Sequence, residues 1–63
     1  MVFSKIVYEL AAGDVVIASV GGRSVHREVA SQTFNGRGMY VIAYTDGERE
    51  VLNSTAIRTV VVA

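Results

Sequence analysis

The side chains of this chain that could do chemistry are few and far apart. The single histidine, His26, follows Ser24 by two residues, so on an extended strand the two would share a face. That is the start of a nucleophile–base pair. Acyl transfer also needs a group to orient the imidazole and donors for the oxyanion, and the sequence sets neither beside them. Glu48 and Glu50 likewise share a strand face, where they read as an ordinary solvated edge. With no cysteine and one histidine the chain has no disulfide and no thiolate metal site, and His26 alone does not make a zinc site. The expectation is a protein without enzymatic activity, metal or cofactor.

Binding chemistry has more to work with. Tyr40 and Tyr44 near Arg49 are the one combination of rings and cation that could stack and hold a single-stranded nucleic acid. Arg23, His26, Arg27 and Arg37 would form a basic patch only if the Gly21-Gly22 and Asn35–Gly38 turns lay at one end of the molecule. Arg23 and Arg37 stand instead at opposite ends of one long predicted strand. Arg37, between two glycines, is placed on a loop tip within reach of a phosphate or carboxylate, although solvated loop charge explains it as well. Six basic residues balance six acidic ones. A chain of zero net charge lacks the phosphate neutralisation that drives non-specific nucleic-acid binding. Tyr40, Tyr44, Arg49, Arg37, Arg23 and His26 are therefore candidate contacts first for a protein partner and second for nucleic acid.

These residues must be positioned by strands. Within Gly38–Leu52, six residues rich in β-branched and aromatic types lead into Asp46-Gly47, and a second, more polar run leads out. Asp-Gly suits a two-residue type I′ turn. That turn pairs Thr45 with Glu48, Tyr44 with Arg49, Ala43 with Glu50, Ile42 with Val51 and Val41 with Leu52. One face then carries Tyr40, Ile42, Tyr44, Arg49 and Val51, and the other Met39, Val41, Ala43, Thr45, Glu48, Glu50 and Leu52. Val2–Glu9 reads as a strand, with a short helix capped at Ser4 as the competing reading. Ala11–Asp14 is a turn, Val15–Val20 an apolar strand ended by Gly21-Gly22, and Arg23–Phe34 a long strand bent or bulged near its middle. Asn35–Gly38 is a turn, Asn53–Ala56 suits one 3₁₀ turn, and Ile57–Ala63 is the last strand.

This order predicts an all-β fold, a five- to six-stranded barrel in one domain. Val41–Gly47, followed by Leu52 and Ile57-Arg58, resembles the end of Tudor-type and related SH3-like domains. The resemblance covers about residues 14–62 and implies an SH3-like barrel with a 3₁₀ turn before its last strand. Many Tudor domains hold methylated lysine or arginine in an aromatic cage. Tyr44 falls where one such ring would lie, but no other ring accompanies it, and the resemblance carries no cage onto this chain.

Sixty-three residues with 51% hydrophobic content hold more apolar side chains than one small core should absorb. Short chains without disulfide or metal gain burial by association, so a homodimer is expected. No apolar run approaches the roughly 18 residues of a membrane span. Met1–Leu10 contains Lys5 and Glu9 and no separate apolar stretch, so it does not read as a signal peptide. A cytoplasmic location follows as an expectation. Arginine supplies five of the six cations, and Ala, Val and Gly abound, as in GC-rich coding sequence. The reading is a protein–protein interaction module, an accessory protein of a bacterium or phage.

Overall fold

Runs of β-branched residues punctuated by glycine form strands throughout. The computed structural model describes residues 1–62 and shows β1 (Val2–Ile6), β2 (Val15–Val20), β3 (Arg23–Phe34), β4 (Met39–Tyr44), β5 (Arg49–Asn53) and β6 (Ile57–Val61). They form one antiparallel sheet in the order β1-β6-β2-β3-β4-β5. No α-helix occurs among the described residues, and no helix is long and apolar enough to cross a membrane. β1 and β5 remain as the two edges, and their pairing with one another, which a closed barrel would require, is absent among the described residues. The expected last strand to Ala63 ends at Val61, and Ala63 lies outside the described residues.

Three sequence-based expectations need correction. The first strand stops at Ile6, and Val7–Glu9 turns into a 3₁₀ helix instead of continuing to Glu9. The Gln32 side-chain amide holds that turn by donating to Tyr8 O at 2.9 Å and Leu10 O at 3.1 Å, which places Val7 and Leu10 in the core. The segment before β6 is a single turn closed by Ala56 N–H on Asn53 O at 3.1 Å; the 3₁₀ helix sits at the other end of the chain.

The third correction moves the β4–β5 register by one residue. Tyr40 pairs with Leu52, Val41 with Val51, Ile42 with Glu50 and Ala43 with Arg49. Tyr44 and Glu48 close the hairpin, with Gly47 N–H donating to Tyr44 O at 3.1 Å. The loop is thus Thr45-Asp46-Gly47. A type I′ turn would demand positive φ at Asp46, yet every positive φ in the described chain belongs to glycine, and Gly47 has +91°. A tight turn followed by a glycine bulge meets that demand at one residue only. The slip reverses the faces of β5: Leu52 turns into the core and Arg49 out to solvent. The two-residue turn occurs instead at Gly21-Gly22, φ +57° and +77°, between the paired Val20 and Arg23.

β3 is long and interrupted as expected: its register on β4 shifts between Val29 and Ser31. This bulge lets one strand serve both halves of the sheet. Gly13 N–H donates to Val29 O and Val29 N–H to Asp14 O, so the β1–β2 connection docks on the bend. The concave face closes over Val7, Leu10, Val16, Val29, Ile42, Tyr44, Leu52 and Val60.

Candidate functional site

The concave face is apolar at one end and charged at the other. β2 pairs with β6 only at Val15–Val61 and Val16–Val60. Continuing that register would bring Ile17 to Thr59, Ala18 to Arg58 and Ser19 to Ile57. All six of these residues instead line an open cleft of about 400 Å³, whose remaining lining includes Arg27, Tyr44 and Glu50. β2 keeps β3 as its other neighbour here, and β6 keeps β1. The sheet is split between β2 and β6, and the split exposes one backbone edge on each side.

The floor of the cleft is a small polar network. Tyr44 is only 4% exposed. Its hydroxyl donates to Glu50 Oε1 at 2.9 Å, and Arg58 donates from Nε to the same oxygen at 3.3 Å and from Nη2 to Oε2 at 3.2 Å. Arg58 Nη1 donates to Ile57 O at 2.9 Å, so each nitrogen of that guanidinium has a partner. Arg27 lies over the Tyr44 ring, 5.7 Å from its centroid, a cation–π distance. Its Nε is 3.3 Å from Asp46 Oδ2 at the rim. Among the described residues, the terminal nitrogens of Arg27 have no hydrogen-bond partner.

This network sets the protonation states. Burial, and then the bond to the Glu50 carboxylate, push the Tyr44 phenol up to about 12. Burial would raise Glu50 too, but the hydrogen bonds from Arg58 and Tyr44 outweigh it and hold the carboxyl below its ordinary value. At neutral pH the floor therefore carries a neutral phenol, one carboxylate and two guanidinium groups. It can accept a negative group and donate hydrogen bonds to it.

The structure disperses most of the residues singled out in the sequence. Tyr44 turns into the core, Tyr40 is half-buried beside it on β4, and Arg49 stands on the opposite face. Tyr40 meets Phe34 in a tilted pair, with ring centroids 4.9 Å apart and planes at 51°. Arg23 and His26 are exposed on β3 and Arg37 on the loop beyond its other end, with no convergence among them. Arg27 alone of that basic group enters the cleft. Glu50 and Arg58 were missed, because the two-residue turn put Glu50 on the face away from Tyr44. The readable signal was the pattern of β5 itself: Glu50-x-Leu52 puts a carboxylate and a core leucine on one face once Arg49 is turned outward. No protein-family model matches this chain, and no curated protein or solved structure matches it either.

Proposed function

We propose that the chain is a non-enzymatic protein–protein interaction module that associates with itself as a homodimer and has an SH3-like strand arrangement. The observation that carries this reading is exposed apolar surface next to an open sheet edge. Met1, Val2, Phe3, Tyr8, Val20, Phe34, Val51, Ile57 and Val62 all remain exposed on a chain of 63 residues. Exposed apolar side chains gathered at an unpaired edge mark interaction surfaces. β1 is such an edge: it has no proline, Lys5 is its only charge, and Val2 and Phe3 are exposed.

The SH3-like reading draws on the resemblance of residues 14–62 and on the connectivity of tight hairpins ending in a strand that returns beside β2. A long bent β3 shared by both halves of the sheet supports it. The absence of enzymatic function fits the positions of Ser24 and His26, which are exposed on β3 and do not line the cleft.

Sedimentation velocity at tens of micromolar, paired with gel shifts on single- and double-stranded oligonucleotides across a salt series, tests the reading. The expected result is a species of dimer mass that persists in salt, with no retarded oligonucleotide. A single species at monomer mass removes self-association. Salt-sensitive retardation would make the chain a nucleic-acid binder instead.

A further inference from the structure

We propose that the cleft between β2 and β6 binds an extended polypeptide segment bearing a carboxylate. This deepens the protein-binding reading by naming a site and a class of partner. In an antiparallel sheet every second residue of a strand turns its N–H and C=O toward a given neighbour. Where the β2–β6 ladder stops, those groups within Ile17–Ser19 that turn away from β3, and those within Ile57–Thr59 that turn away from β1, have no strand opposite them. In an open cleft such groups take their partners from water, from side chains such as Arg58 on Ile57 O, or from an added strand. An extended polypeptide, with the same alternation of donors and acceptors, supplies them, which is how peptides add to sheets. The split spans three residue positions, about 10 Å at strand spacing. Its volume of about 400 Å³ falls in the range of roughly 300–1,000 Å³ typical of ligand sites.

The floor selects the side chain. Arg27 and Arg58 stand against Glu50 in the lining, and Asp46 at the rim offsets the second charge through Arg27 Nε, so selectivity falls to the donors that these pairs leave free. Arg58 is spent on Glu50 and on Ile57 O, whereas the terminal nitrogens of Arg27 are unpaired. A guanidinium held over a tyrosine ring, with its two terminal nitrogens free, matches one carboxylate in a forked geometry. A doubly charged phosphate would meet Glu50 across the same floor. The carboxylate can come from an Asp or Glu side chain or from a chain terminus.

Three pools of pentapeptides distinguish these sources, each with Val, Ile or Thr at the other positions. The first is blocked at both ends with Glu at its centre, the second is blocked with Gln at its centre, and the third has no acidic residue but a free terminal carboxylate. Each is titrated into isotope-labelled protein while backbone amide shifts are followed. The proposal expects shifts at Ile17–Ser19 and Ile57–Thr59. The Glu pool, the free-terminus pool or both should bind about tenfold more tightly than the Gln pool, as one charged hydrogen bond implies. Arg27→Gln should erase that preference while circular dichroism stays unchanged, and Arg27→Lys should keep part of it. No response to any pool, or equal response to all three, overturns the proposal. Shifts confined to β1 or β5 also overturn it, but leave the broader protein-binding reading standing.

Discussion

Tyr44, Glu50 and Arg58 show how three side chains from three strands fix one another's charge. The Glu50 carboxyl is held below its ordinary value in the fold, while its unfolded value is near the usual 4.3 or so. Its contribution to stability is therefore present above that unfolded value and is lost as pH falls through the lower folded one. Thermal melts taken from neutral pH to about pH 3 should show an acid limb that Glu50→Gln flattens. An unchanged limb would mean that the Arg58 and Tyr44 contacts do not form. Tyr44 works in the opposite sense. With its phenol at about 12 against about 10 unfolded, its contribution is complete below the unfolded value and lost as pH rises toward the folded one. An alkaline titration of native protein followed by tyrosinate absorbance should show a late phase that Tyr44→Phe abolishes. The same variant should cost about 1.5–3 kcal/mol at neutral pH, the worth of a hydrogen bond to a charged acceptor.

Among the elements, the β4–β5 hairpin decides what faces the cleft. Its existence was legible from the β-branched and aromatic run before Asp46-Gly47, and so were the bounds of β2 and β3. Its register was not. Asp-Gly serves a two-residue turn and a three-residue loop equally well, and only the burial of Leu52 against the solvation of Arg49 chooses between them. The 3₁₀ helix was hidden for a similar reason. Nothing local in Val7-Tyr8-Glu9 demands it, and the Gln32 amide that fixes it lies 24 residues from Tyr8. The gap between β2 and β6 depends on long-range pairing that local residue patterns do not encode. Gly47→Val places a β-branched residue at φ +91°, and should cost roughly 1–3 kcal/mol in backbone strain. No neighbour lies within 4 Å of the added Cβ, so strain alone is responsible. A domain of this size should then melt lower by roughly 5 °C or more; a shift within about a degree would contradict the positive φ. Gln32→Ala should speed amide exchange at Leu10, whose N–H donates to Val7 O across the 3₁₀ turn, and exchange at the wild-type rate would show that Gln32 does not hold it.

For the whole molecule, the balance between core and surface determines behaviour. Among the described residues, eight side chains form the buried core and nine large hydrophobic ones stay exposed, the balance on which the proposed self-association rests. The same economy explains the polar floor: a short chain bends one sheet over an apolar end and leaves the other end to ion pairs. Every functional statement about the cleft requires that the sheet be open between β2 and β6. The direct measurement is the pattern of cross-strand nuclear Overhauser contacts in solution. Backbone contacts are expected between Val15 and Val61 and between Val16 and Val60, and none between Ala18 and Arg58 or between Ser19 and Ile57. Contacts running on through Ile17–Thr59, Ala18–Arg58 and Ser19–Ile57 would zip the two strands together, close the cleft and contradict the account.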